Sequence, residues 1–546
     1  MRLNIRDILT GFGIAGLMLP EAVAYAGIAG LAPGRALAAG IAGGIAYALV
    51  GRSRFAVISP TSSSAAILAA ALIGLGVGGA GKLDPAMQAA AATTMVAMVA
   101  LIFGGLSLFR LGSLAGFISR PVLRGFAFGL AITIILKQMP KLFGVSVAGG
   151  PVWQILRDLA HARADWNLPS LLLGAGALAA LLALRQLPRW PGALIVILGG
   201  VALGVVFDPA AWGVALAGPV ALSVPVLGLP PLALVPRLAQ LAVPIALILF
   251  AESWGTIRSL ALKHGDPIAA NRELGALGLA NLAAALVQGM PVGAGFSAGS
   301  ANEAAGATSR TAALIAALAL GALALFAAPV IARIPEPVLA AVVIAALTHA
   351  LNPEPILRLF RIRRDHWVAL AAALGVLVLG VLDGMLTAIV LSIAMLLYDL
   401  AHPSISTLGQ VGDSHDFVDI ARHGDAAAMA GVAIYRPNAP LIFANAESVF
   451  AAITDRIGAT TPPVIVVSLE ESNDLDATAI DALGEFVAGR AAVGQRVVLA
   501  RAHDRVRDVL TAAGLGALAA GSTFSVADAA DGAANGPAAG WQDAII

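Results

Sequence analysis

Apolar runs close to the ~20 residues needed to cross a bilayer recur from Ile8 to about His402. Short loops carrying Arg, Lys, Gly and Pro separate them. The pattern predicts about fourteen segments: 9–30, 36–51, 60–78, 88–109, 120–139, 168–186, 191–207, 240–262, 273–288, 296–306, 311–332, 337–351, 366–382 and 384–401. Two of them, 60–78 and 296–306, are short or broken by Gly and Pro. An uncharged Pro/Gly-rich stretch, Gly218 to Pro236, divides the set into seven plus seven, about 1–207 and 237–402. An odd number of crossings per half inverts one half relative to the other. The expectation is a polytopic α-helical membrane protein.

The pattern changes after His402. Residues 403–546 hold 17 of the chain's 32 acidic residues and no run long enough to span a bilayer. Gly431–Tyr435, Leu441–Phe443, Val464–Leu469 and Val497–Ala500 read as strands, and Ala446–Ile457, Ala477–Gly489 and Val506–Ala513 as helices. Such alternation predicts a small α/β domain. The domains expected are therefore 1–402 in the membrane and 403–546 outside it.

Orientation follows from basic residues, which accumulate in cytoplasmic loops. With the N-terminus inside, the inner stretches hold seventeen Lys and Arg, among them Arg52, Arg54, Arg120, Arg124 and Arg361. The outer ones hold seven: Lys82, Lys137, Lys141, Arg157, Arg163, Arg237 and Arg333. This places the N-terminus and the tail in the cytoplasm.

Composition agrees and narrows the chemistry. The chain is 59% hydrophobic and 12% charged, against roughly 25% charged in soluble proteins. A net charge of +1 without a basic-aromatic patch gives no sign of nucleic acid binding. Zero cysteines exclude disulfides and thiol chemistry, and the eight histidines show no metal-ligand spacing. Nothing resembles a nucleophile–base pair or a P-loop. The chain reads as neither an enzyme nor an ATP-driven pump, and no cofactor is expected.

Against this background two carboxylates stand out. Glu21 lies in Leu17-Met18-Leu19-Pro20-Glu21-Ala22, and Glu252 in Leu247-Ile248-Leu249-Phe250-Ala251-Glu252-Ser253, near the start of each half. A carboxyl group at bilayer depth is costly, so its default reading is a substrate, ion or proton site. Matching positions in two halves suggest a transporter with its site at the repeat interface.

Three stretches then carry a resemblance: Pro20-Glu21-Ala22-Val23-Ala24-Tyr25-Ala26 with Ala29-Gly30-Leu31-Ala32-Pro33; Ile118-Ser119-Arg120-Pro121-Val122-Leu123-Arg124-Gly125-Phe126; and Leu279-Ala280-Asn281 with Gly289-Met290-Pro291-Val292-Gly293-Ala294-Gly295-Phe296-Ser297. They resemble the SulP family of anion transporters. Pro440–Glu447 and Asp474–Thr478 resemble the STAS domain that family members commonly carry. The resemblance implies a seven-plus-seven inverted repeat of core (segments 1–4 and 8–11) and gate (5–7 and 12–14), in which segments three and ten are half-helices whose N-termini meet at mid-membrane. It also implies a homodimer in a bacterial inner membrane, with room for cytoplasmic protein contacts through the STAS domain.

Helix N-termini present free N–H groups and partial positive charge, which suits an anion. The anion-site candidates are Glu21, Tyr25, Ser62, Ser63, Phe296, Ser297, Ala298 and Gly299. Packing is the competing role for the Gly/Ser-rich helix starts, for Tyr25, and for Ser253 and Trp254. Thr256, one turn beyond Glu252, completes the candidate set for a coupling ion (Glu252, Thr256 and Glu21), a proton or a sodium ion. Many family members carry Gln at position 21 and Arg at 298, whereas this chain has Glu and Ala. An anion facing two carboxylates without that Arg calls for a mobile cation. The expected function is secondary active transport of sulfate, bicarbonate or a C4-dicarboxylate across the cytoplasmic membrane, by symport and elevator-like alternating access. An uncoupled anion channel, a nucleobase permease of the same architecture and a membrane sensor signalling through the STAS domain are the alternatives. Thr478 sits where related regulators carry a phosphorylatable hydroxyl, with helix capping by Asp476 the simpler role.

Overall fold

A computed structural model describes residues 4–77, 84–113, 119–147, 152–186, 192–218, 234–326, 328–458 and 461–535. Lys82, Ile118, Arg189 and most of the Gly218–Pro236 stretch lie outside these residues. The chain forms two compact units, Met1–Ser392 and Ile393–Ile546.

In the first unit each expected segment has its helix. The first half contains α1 (Ile5–Ala29), α2 (Pro33–Val50), strand β1 (Ile58–Ser59), α3 (Ser62–Val77), α4 (Pro85–Leu108), α5 (Arg120–Phe143), α6 (Val152–His161), α7 (Leu168–Leu184) and α8 (Gly192–Val206). The second contains α9 (Val235–His264), α10 (Ala270–Leu286), β2 (Gly293–Ala294), α11 (Phe296–Ala304), α12 (Thr311–Phe326), α13 (Ala328–Ile331), α14 (Glu336–Leu347), α15 (Glu354–Ile362), α16 (His366–Leu379) and α17 (Val381–Ala401). Local signals set the ends. The side chains of Asn4, Asp84, Ser119 and Asn167 accept N–H bonds in the first turns of α1, α4, α5 and α7, as N-caps do. Gly30, Gly144 and Gly265 close α1, α5 and α9 in the left-handed conformation.

The helix contacts repeat between halves. α4 packs on α10 as α12 packs on α2, α1 on α12 as α9 on α4, and α5 on α16 as α14 on α7. Exchanging α1–α4, α5, α7 and α8 for α9–α12, α14, α16 and α17 leaves this pattern unchanged, which is the seven-plus-seven repeat expressed in contacts. The helices also sort into two groups. One comprises α1–α4 and α9–α12, and the other is built on α5, α7, α14 and α16. The amphipathic helices α6 and α15, absent from the fourteen segments, occupy equivalent places in the two halves.

In hydrocarbon, helices associate by close backbone approach at small residues. On α5, a Cβ at Gly125 would lie 1.9 Å from the Ala369 carbonyl oxygen of α16, and one at Gly129 2.5 Å from that of Ala373.

The second unit contains a mixed sheet in the order β4 (Phe417–Asp419), β3 (Ile405–Val411), β6 (Val432–Pro437), β7 (Val464–Ser468), β8 (Arg496–Ala500), with β5 (Ala426–Ala427) paired to β3. β6, β7 and β8 are parallel, joined through α18 (Ala446–Ile457) and α19 (Ala477–Ala492). The central strand β7 is buried along its whole length, because helices cover both faces. Ile465 and Val467 face the core under α18, α19, α20 (Asp504–Ala512) and α21 (Gly516–Ala520). Val464 and Val466 face α22 (Val526–Asn535).

Leu441–Phe443, expected as a strand, is a turn leading into α18. Its N–H groups bond side chains instead of a neighbouring strand: Leu441 to Ser472 Oγ, Ile442 to Asn445 Oδ1 and Phe443 to Asp476 Oδ2. Asp476 also caps α19 through the Ala479 N–H, the simpler of the roles expected near Thr478.

Gly125→Val should prevent the α5–α16 approach and destabilise the protein by at least the ~1–3 kcal/mol of ordinary overpacking. Gly13→Ala, where a Cβ meets open space, should be neutral or stabilising by up to about 1 kcal/mol. Thermal unfolding in detergent checks both, and equal midpoints for the two variants would contradict this packing.

Candidate functional site

The site is built where the two broken segments meet. β1 and β2 pair antiparallel, Ile58 opposite Ala294 and Ser59 opposite Gly293. This short ladder holds the starts of α3 and α11 against each other. Three side chains fix it. Asn281 of α10 donates through Nδ2 to the Leu277 and Val292 carbonyls, both at 2.9 Å, and accepts the Val292 N–H at 3.0 Å. Ser253 of α9 accepts the Ala294 N–H at 2.9 Å. Ser64 of α3 accepts the Thr61 N–H and lies 3.1 Å from the Pro291 carbonyl. Irregular backbone is tolerated at bilayer depth only where such partners bury it or a cavity solvates it.

A cavity of about 200 Å³ opens beside the two helix starts. Glu21, Tyr25, Ser62, Ser63, Glu252, Phe296, Ser297 and Ala298 all line it, together with Ser59, Pro60, Thr61 and Gly295. Ala127, Leu130 and Ala131 of α5 and Ala346 and Leu347 of α14 form the facing wall. The cavity thus lies between the two helix groups. Among the described residues, no Lys or Arg lines it.

Glu21 and Tyr25, one turn apart on α1, are both buried. Glu252 accepts a bond from Thr61 Oγ1 at 3.2 Å and another from the Ser63 hydroxyl. Ala298 is buried at the position where an Arg would stand. The first N–H groups of α3 and α11 have no acceptor within their own helices; Thr61 Oγ1 accepts that of Ser64, and the residues carrying the others, Ser62, Ser63, Phe296, Ser297 and Ala298, line the cavity. Carboxylates, hydroxyls and free N–H groups therefore share one small space, able to hold an anion and a proton or cation together.

Two candidate residues fall elsewhere. Gly299 lies in the contact between α11 and α9, where a Cβ would sit 3.2 Å from Thr256 Cγ2 and from Leu260 Cδ1. Thr256 is buried in that contact, and neither residue lines the cavity.

Sequence reasoning passed over Thr61, although it directly precedes the candidates Ser62 and Ser63 in the broken segment 60–78. Asn281 was visible only as part of a motif. The α5 and α14 wall residues are Ala and Leu, which carry no signal in a membrane chain. Another buried carboxylate, Glu273 of α10, was also unanticipated. It accepts the Tyr47 hydroxyl at 2.5 Å and the Arg52 N–H at 3.1 Å, so it ties α10 to α2 and its end, away from the cavity.

Comparison with known proteins identifies the family of the chain. Residues 5–395 match the model of the sulfate permease family, and residues 425–529 match the STAS domain. The chain belongs to the sulfate permease family. It is 34% identical, over 93% of its own length and 91% of the relative's, to a Mycobacterium tuberculosis protein described as a probable sulfate transporter. It is 28% identical to human solute carrier family 26 member 6, over 83% of the chain and 62% of that protein. Among solved structures it resembles the murine Slc26a9 anion transporter in its inward-facing state, with a TM-score of 0.88 and 20% identity over 98% of this chain and 92% of that one. The transmembrane domain of the cyanobacterial bicarbonate transporter BicA matches 70% of this chain and 97% of that chain, at a TM-score of 0.63 and 21% identity. This sulfate permease family member is a multi-pass membrane anion transporter with a C-terminal STAS domain.

Asn281→Leu should strand the Val292 N–H and two carbonyls in a buried site. At about 1–3 kcal/mol per unsatisfied group, the detergent-solubilised protein should unfold at a clearly lower temperature. An unchanged midpoint would show that the clamp does not hold the helix starts.

Proposed function

We propose that the protein is a secondary active symporter that carries a small anion, sulfate foremost, together with a proton across the bacterial inner membrane. The observation that carries the reading is the composition of the cavity: two helix starts and two carboxylates, with no Lys or Arg in its lining. The naming of relatives as sulfate transporters favours sulfate over bicarbonate and C4-dicarboxylates.

The physical argument is electrostatic. Unit charges ~5 Å apart repel by about 3 kcal/mol at an effective dielectric of ~20, roughly a hundredfold in affinity. An anion among the first N–H groups of α3 and α11 would meet that repulsion from ionised Glu21 and Glu252. Protonation removes it, so anion and proton favour each other's binding, which is the thermodynamic core of symport. The Thr61 and Ser63 hydroxyls orient Glu252. Sodium is the less favoured partner, since Thr256 packs against Gly299 rather than lining the cavity.

Because the cavity lies between two helix groups, movement of α1–α4 and α9–α12 as one body past α5 and α14 would open it to alternate sides. This is elevator-like alternating access, with residues 1–402 as the transport part and the tail 403–546 in the cytoplasm. Dimerisation is part of the same family-based reading.

The test is uptake of labelled sulfate, bicarbonate and fumarate into proteoliposomes under imposed pH or sodium gradients. Sulfate accumulation driven by an inward proton gradient is expected, and uptake indifferent to both gradients would sink the coupling. Glu252→Gln should abolish gradient-driven accumulation while the protein stays folded in size-exclusion chromatography, and Glu21→Gln should weaken it. Removing residues 403–546 should leave transport at least partly intact; complete loss in a folded, membrane-inserted protein would count against the tail being dispensable to the cycle.

A further inference from the structure

Lys137 is half-buried inside α5, nearly two turns before that helix ends at Phe143. Among the described residues its side chain makes no hydrogen bond or ion pair. An uncompensated ammonium group in a membrane helix marks a functional position by default.

Its place on the helix points to the function. Seven residues separate it from Leu130, which lines the cavity. At 100° and 1.5 Å per residue, Lys137 lies within about 20° of Leu130 and roughly 10 Å further along the axis. Gln138, buried, stands in the same relation to Ala131, another lining residue. Lys141 is one turn beyond Lys137 and again within about 20° of Leu130. Its position is fixed independently: its Nζ would lie 3.3 Å from a Cβ built on Gly27 of α1, two residues past the cavity-lining Tyr25. Lys141 therefore occupies the seam between α1 and α5, and Lys137 and Gln138 lie between that point and the cavity. Glu336 of α14, 4.0 Å from Lys141 Nζ, offsets part of the Lys141 charge. Among the described residues no such partner offsets Lys137.

We infer that Lys137, with Gln138 and Lys141, forms an anion-holding station on the α5 wall, leading from the end of the α1–α5 seam to the cavity. It takes small inorganic or carboxylate anions and supplies on the facing wall the positive charge that Ala298 does not provide at the helix start. The inference rests on reading the cavity as the anion site. A charged, low-dielectric cleft of this kind raises local anion concentration by about ten- to a thousandfold, with strong dependence on salt.

The chain contains no cysteine, so Lys137→Cys introduces its sole thiol. In membrane vesicles that thiol should react with small hydrophilic methanethiosulfonates. The anionic reagent should lose about tenfold in rate relative to the cationic one when Lys141→Gln is added, and sulfate should slow the reaction. A thiol inert to both charged reagents yet modified by a membrane-permeant maleimide would place Lys137 against lipid and overturn the station. In transport, Lys137→Gln should raise the KM for sulfate about tenfold with kcat within about twofold, flatten the salt dependence of kcat/KM, and be rescued by Lys137→Arg. An unchanged KM in a protein that carries sulfate would end the inference and leave the cavity reading standing. Failure of the unsubstituted protein to carry sulfate, bicarbonate or fumarate would instead sink the cavity reading, with the thiol chemistry still deciding the role of the lysines.

Discussion

The structure depends on how two interrupted helices can face each other inside a bilayer. Each break exposes backbone N–H and C=O groups where no water is available, and each unsatisfied group costs several kcal/mol. The β1–β2 ladder answers that cost for four residues. Asn281, Ser253 and Ser64 answer it for the residues around them. Thr61 Oγ1 takes the Ser64 N–H of α3, and the first N–H groups left over, those of Ser62 and Ser63 in α3 and of Phe296, Ser297 and Ala298 in α11, belong to residues that border the cavity. The same constraint that forces the clamp therefore produces the cavity proposed to hold the anion.

The carboxylates take their meaning from this arrangement. Glu21 arrives on α1 and Glu252 on α9, helices related by the internal repeat, and both reach one cavity. Glu273 is equally buried and has no such role, because Tyr47 and the Arg52 N–H satisfy it within the core. Burial of an acid thus flags a function only when the acid borders space rather than partners. The same distinction separates Lys137 from Arg54, which is paired with Asp266 at 2.7 Å.

Much of this was legible along the chain. Fourteen apolar segments, their division into two halves and the switch to an α/β pattern after His402 follow from periodicity and length alone, since hydrocarbon leaves so few structures available. The short, Gly- and Pro-broken segments 60–78 and 296–306 announced the helix breaks. Legibility failed where partners come from afar. Leu441–Phe443 has the β-branched and aromatic look of a strand, but Ser472, Asn445 and Asp476 take its N–H groups. Gly299 and Thr256 were expected at the cavity from spacing, and instead they pack on each other.

By itself, then, the sequence determined the membrane class, the repeat and the tail domain and singled out the two acids that line the cavity, because each leaves a local mark in hydropathy or charge. Only the tertiary structure decided which residues share the cavity. Ala127, Leu130, Ala131, Ala346 and Leu347 are indistinguishable in composition from dozens of others in the chain. Their position in the wall comes from the approach of α5 and α14 to helices distant from them in sequence. The place of Lys137 was decided in the same way: the sequence shows only a basic residue near the end of an apolar segment, and the fold sets it within α5 in line with the cavity wall.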